Sequence, residues 1–145
     1  MGLVVGQDTY VTTWVAMQLG QSEPPPAYTS IGFEREGFLV AGVYFDGMSD
    51  TNVFAHIASN GRLLPRELLD ATCNFVYDQL GAKRMTFMVY DTNEACLSFI
   101  KSLGAEFEGR IAQGHSGGDV LLFALWRDRG YNQRRLARLS MAEPA

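Results

Sequence analysis

With two cysteines, two histidines and five prolines in 145 residues, the chain is poor in the residues that build metal centres and disulfide frameworks. Cys73 and Cys96 fall on the apolar faces of two separate helical patterns, and no ligand spacing links them to each other or to a histidine. Both read as buried structural thiols rather than nucleophiles, and no metal is expected. Long apolar runs are absent too. The longest, Val120 to Trp126, is seven residues against the roughly 20 a spanning helix needs, so no membrane partner is expected. A basic start followed by an apolar stretch and a cleavage site is missing, and position 6 is Gly where a myristoylation start carries Ser or Thr. The expectation is a cytoplasmic, one-domain protein. Basic charge is scarce in the body: residues 1–126 hold 7 basic and 14 acidic side chains. That argues against duplex DNA as the main partner, because phosphate neutralisation dominates such affinity, and it suits a cationic ligand such as an amine.

The 47% of hydrophobic residues suffices for a packed core. Basic side chains concentrate in residues 127–145, where Arg127, Arg129, Arg134, Arg135 and Arg138 face only Asp128 and Glu143. The chain therefore divides into a domain over 1–128 and an Arg-rich tail over 129–145. The tail reads as a solvated, frayed helix, or as a dock for phosphate or an acidic partner.

Along the chain, Gly2 to Gly6 forms a short apolar strand. Asp8 or Thr9 caps a helix to Leu19 with Val11, Trp14, Val15 and Leu19 as its apolar stripe. Pro24-Pro25-Pro26 makes Gln21 to Ser30 an extended loop. Strands over Ile31–Glu34 and Phe38–Phe45 turn at Glu36-Gly37, and Val53–Ser59 is a third. A helix over Pro65–Leu80 precedes Arg84–Tyr90, which is apolar on both faces as in a strand covered on both sides. Asp91-Thr-Asn93 leads into a helix with Ala95, Cys96, Phe99, Ile100 and Leu103 inward, ended by Gly104. Glu106–Gln113 and Val120–Trp126 close the chain as an antiparallel pair. The helix between Val53–Ser59 and Arg84–Tyr90 makes those two strands a parallel crossover. The fold class is α/β: a mixed, mostly antiparallel sheet with one parallel crossover and helices on both faces. A closing strand rich in Leu, Phe and Trp, if exposed, can pair with a second copy as a homodimer.

This order, with Gly81-Ala-Lys-Arg84, Asn93 through Leu103-Gly104, Glu108-Gly109-Arg110 and Asp119-Val-Leu-Leu-Phe123, resembles the GNAT superfamily of N-acetyltransferases. The likeness runs nearest to the branch that acts on ribosomal-protein N-termini, and to compact members encoded by tailed bacteriophages, which would work in the host cytoplasm. The resemblance covers residues 53–126 in motifs and 1–52 in element order alone. It implies acetyl-CoA as donor, with the pantetheine arm added as a strand along Ile57, Ala58 and Ser59. It also implies a pyrophosphate at the next loop and helix start, and Asn93 bonding the pantetheine or simply capping its helix. The implied function is acetyl transfer to an amine of a small molecule or protein. The alternative is a catalytically degenerate GNAT-fold protein that grips another protein, with or without coenzyme A.

Three departures bear on that choice. The family's Gln/Arg-x-x-Gly-x-Gly/Ala loop corresponds to Asn60-Gly-Arg-Leu-Leu-Pro-Arg-Glu67, where the two later glycines are gone. Losing two hydrogen bonds to a charged group, each about 1.5–3 kcal/mol, costs roughly two to four decades of affinity. Arg62 and Arg66 either replace them by charge-assisted contacts or stand as solvated side chains. The usual acid position on the helix after Asn93 is Ile100, which donates nothing. For the base, His56 is the catalytic candidate, mid-strand in Phe54-Ala-His-Ile57, because histidine titrates in the useful range; a core-facing structural histidine is the competing reading. His115 in the Gly-rich turn reads as solvated, and Glu34 and Glu36 are weaker acceptor-site candidates. If the arginines hold phosphate, Arg62→Ala combined with Arg66→Ala weakens acetyl-CoA binding, and calorimetry finds the loss larger as salt is lowered.

Overall fold

The computed structural model describes residues 2–21, 29–60 and 64–142. Seven strands and four helices follow in the order β1 (Gly2–Val4), α1 (Asp8–Gln18), β2 (Ser30–Arg35), β3 (Phe38–Asp46), β4 (Asn52–Ser59), α2 (Arg66–Cys73), β5 (Arg84–Tyr90), α3 (Glu94–Ser102), β6 (Glu106–His115), β7 (Gly118–Trp126) and α4 (Tyr131–Ala142). The strands form one sheet in the order β1-β2-β3-β4-β5-β7-β6. Only β4 and β5 run parallel, and every other neighbouring pair is antiparallel. The expected α/β class and its one parallel crossover are thus present. The Pro24-Pro25-Pro26 loop lies outside the described residues.

Strand alternation divides the sheet into two faces. One carries the larger core, where Val43, Phe45, Val53, Met85 and Phe87 meet Leu68 and Val76 of the α2 region and Ile100 of α3. The other carries α1, whose Val11 and Val15 are fully buried against β2 and β3. α1 can approach so closely because Gly32 and Gly42 face each other in register on β2 and β3. A Cβ on Gly42 would stand 2.9 Å from Val15 Cγ2 and 3.2 Å from Val11 Cγ1. Both contacts are to stiff β-branched side chains.

Three expectations about the sheet and α2 change. The Pro65–Leu80 helix is α-helical only to Cys73 and continues as a π-helical segment, Asn74–Gln79. The wider turn lets the adjacent Val76 and Tyr77 both be fully buried, with Tyr77 donating its hydroxyl to Leu125 O at 2.5 Å. β5 is not covered on both sides: Met88 and Tyr90 are 43% and 41% exposed, because α1 packs over β2, β3 and β4 and stops short of β5. The closing strand β7 is not an edge, since β6 folds back outside it.

The Arg-rich segment is docked rather than frayed. α4 lies against α2, with Arg135 buried and bonded to Asp78 at 2.8 Å, and Arg138 gripping both Asp70 oxygens at 2.9 and 3.0 Å. Tyr131 donates to Asp70 at 2.7 Å. Burial pushes the Asp70 carboxyl up, but the Arg138 and Tyr131 hydrogen bonds outweigh it and hold it below its ordinary value. Among the described residues, no helix is long and apolar enough to cross a membrane.

Two measurements check this packing. Gly42→Ala lowers stability by about 1–3 kcal/mol in denaturant titration, through overpacking beneath α1. For Asp70 the folded value is depressed, so its contribution is present above the ordinary value of 3.8 and is lost as pH falls through the lower folded one. The difference in thermal midpoint between the parent and Asp70→Asn, followed from neutral pH to about pH 2, therefore shrinks in acid.

Candidate active site

The parallel pairing of β4 with β5 lasts for three residue pairs, Asn52↔Arg84, Val53↔Met85 and Phe54↔Thr86, and then stops. Beyond Phe54 the strands diverge, and α3 starts beneath the gap. The opening holds two cavities of about 300 and 350 Å³ that share Leu19, Ile57, Asn93 and Cys96 as common walls, so they form one groove. Ile57, Ala58 and Ser59 of β4 line its second part, with Leu64, Ala95 and Phe99 opposite. Cys96 and Phe99 pack against the core as expected while also lining this groove, whereas Ala95, expected inward too, is exposed.

His56 lines the first cavity, on the face of β4 that carries α1. Its cross-strand partner in the β3–β4 ladder is Tyr44, and the two rings stack with centroids 4.4 Å apart and planes 13° from parallel. Asp46 lies two residues beyond Tyr44 on the same face, and its Oδ1 is 3.0 Å from His56 Nε2. The imidazole is 10% exposed. Gln21, three residues past α1 and also in the cavity wall, bonds the Tyr44 hydroxyl at 3.1 Å. With Asp46 accepting from Nε2–H, the lone pair resides on Nδ1. A carboxylate-oriented imidazole beside an apolar cavity can take a proton from a group bound there.

Asn93 caps α3, its Oδ1 accepting from Cys96 N at 3.1 Å, and it lines both parts of the groove. The cap and the groove positions thus coincide in one side chain. Arg66 opens α2, is exposed and lines neither cavity, while Arg62 lies outside the described residues. Glu34 and Glu36 are at the β2–β3 turn and line neither cavity. Cys73 is buried, and burial pushes its thiol up to about 12; burial also raises the Cys96 thiol. Neither is poised as a thiolate.

His115 differs from expectation. It ends β6, stacks on Tyr90 with centroids 4.0 Å apart, and places Nε2 at 3.1 Å from Asp91 Oδ1. Its Nδ1 accepts from Gly117 N at 3.1 Å, which leaves Nε2 as the protonated nitrogen. That hydrogen bond and one from the Asp119 backbone hold the Asp91 carboxyl below its usual range. Tyr90 faces the first cavity, so each wall of the gap carries a Tyr–His–Asp group. Asp46, Tyr44 and Gln21 were missed from sequence. The available signal was the alternation Tyr44–Asp46 within one strand, but joining it to His56 requires the β3–β4 register.

The fold recurs among solved structures. The yncA protein of Salmonella typhimurium, solved with its cofactor acetyl-CoA, superposes with a TM-score of 0.69 at 14% identity, over 88% of this chain and 94% of that one. The ribosomal-protein-S18-alanine N-acetyltransferase of Escherichia coli gives 0.64 at 16% identity, over 86% and 92%. The spermidine/spermine N-acetyltransferase SpeG of Vibrio cholerae gives 0.63 at 15%, over 73% and 70%. No protein-family model matches the sequence, and no curated protein matches it. The chain has the fold of the GNAT acetyltransferases.

Proposed function

We propose that this protein is an N-acetyltransferase that uses acetyl-CoA and acetylates an amine. The observation that carries the reading is the early parting of β4 and β5, which opens a groove with a strand edge on one wall and the His56–Asp46 pair at its inner end. The pantetheine arm of the donor fits the second part of this groove. Ile57, Ala58 and Ser59 present strand backbone there, while Leu64 and Phe99 supply apolar walls. The phosphate end fits less fully. Pro65, at the N-cap of α2, has no N–H to give, and Glu67 in the first turn repels phosphate, so the described residues offer only Arg66.

Bound acetyl-CoA would supply an acetyl group activated as a thioester. The rest falls to the chain. The largely apolar lining of the first cavity favours the uncharged amine. His56 Nδ1 takes the proton that the amine loses as its nitrogen bonds the acetyl carbon and the carbon–sulfur bond breaks. Asp46 holds Nε2–H and stabilises the imidazolium that results. Ile100 is buried and offers no proton to the leaving thiolate, which departs without a dedicated acid from α3.

Calorimetric titration with acetyl-CoA at low salt tests the reading: micromolar binding is expected, and no binding at millimolar concentrations would overturn it. His56→Ala then lowers kcat by about 100-fold or more with the acetyl-CoA affinity unchanged. Asp46→Asn lowers kcat in the same direction, and an unchanged rate in either variant removes that residue from the mechanism.

A further inference from the structure

The first cavity has a second wall that the proton-transfer chemistry does not use. Met88 and Tyr90 of β5 and Ile111 of β6 line it while being 43%, 41% and 46% exposed. Tyr90 and Ile111 flank Val120 of β7 in register, one on each side, so Tyr90, Val120 and Ile111 form a cross-strand row. An apolar row left open beside a reactive group is a binding surface more often than a packing fault.

Three described carboxylates near the cavity have partners within the protein. Asp46 is held by His56 and Asp91 by His115, both at about 3 Å. Asp119 accepts from Arg110 at 2.7 Å and from Gln113 N at 2.9 Å. Among the described residues, the cavity wall contains no carboxylate, and His56 is its one titratable group besides Tyr90 and Cys96. A second ammonium on the same ligand would find no counter-charge among the described wall residues. The cavity is also small, about 300 Å³, and must take the acetyl thioester as well.

We propose that the acceptor is a small monoamine on an apolar or aromatic body, selected by Met88, Tyr90 and Ile111 against polyamines. The inference rests on the acetyl-transfer reading and narrows its substrate. The net charge of −4 draws cations to the surface in general, but the cavity admits the one amine as its uncharged base and packs the remainder against the apolar row.

The test uses the full chain with ¹³C-labelled Met and Ile methyls. Phenethylamine and spermidine are titrated in the presence of coenzyme A, and thiol release from acetyl-CoA is measured with each amine. Phenethylamine is expected to shift the Met88 and Ile111 methyl signals and to have a kcat/KM about tenfold or more above that of spermidine. Met88→Glu, at an exposed position that tolerates charge, should narrow or reverse that ratio. Preference for spermidine, a ratio unmoved by Met88→Glu, or no methyl shift with phenethylamine each overturns the inference. Methyl shifts without thiol release would leave the amine site standing and remove the acetyl-transfer reading instead.

Discussion

The interaction on which the rest of the molecule depends is the pairing of β4 with β5, the one place where two halves of the sheet join in parallel. It is short, ending at Phe54↔Thr86, and its shortness is what makes a site. A parallel pair that continued to Ser59 would seal the sheet and bury Ile57 against Val89. Instead the strands part, α3 seats its capped N-terminus under the gap, and the sheet edge becomes a wall. Each half stays rigid on its own side through antiparallel ladders, β1 to β4 on one and β5, β7 and β6 on the other. Rigid walls hold the two Tyr–His–Asp groups in place on either side of the opening.

Charge is organised by the same packing. An acidic body followed by an arginine-rich segment suggests an outward-facing basic tail, yet α4 folds back and its arginines meet Asp70 and Asp78 of the α2 region. Arg135 is buried because both Asn132 and Asp78 receive it; an unpaired guanidinium there would be costly. Near the groove Asp46, Asp91 and Asp119 are paired as well. The arginines of α4 are thus neutralised within the fold, and the groove itself is apolar with a few convergent polar groups.

The stretch Asn60 to Glu67 is where the sequence departs from the phosphate-loop pattern of the superfamily it resembles. The glycines of the phosphate loop are absent, and Pro65 stands where a backbone donor would serve. On the proposed reading, acetyl-CoA would be held mainly along Ile57, Ala58 and Ser59, where strand backbone and apolar walls line the groove. Asn93 illustrates how little spare function the site carries: one side chain caps α3 and lines both parts of the groove.

Much of this was legible beforehand. Strand and helix order follow from local periodicity and from glycines and prolines at the breaks, so β3, β5, α3 and the crossover could be read directly. That Ile57, Ala58, Ser59 and Asn93 come to one groove was also legible, because each sits in or beside an element whose place in the order is known. Three features were not. The exposure of Met88 and Tyr90 depends on where α1 stops, which no residue of β5 records. The docking of α4 depends on Asp70 and Asp78, some 60 residues away. The partner of His56 depends on the β3–β4 register, since a slip of one residue would turn Asp46 to the other face. By itself, then, the amino-acid order determined which elements form and in what sequence, because hydrophobic period and turn chemistry are local. Only the tertiary structure decided which side chains meet across the gap, because register, strand divergence and helix docking are set by contacts between distant segments.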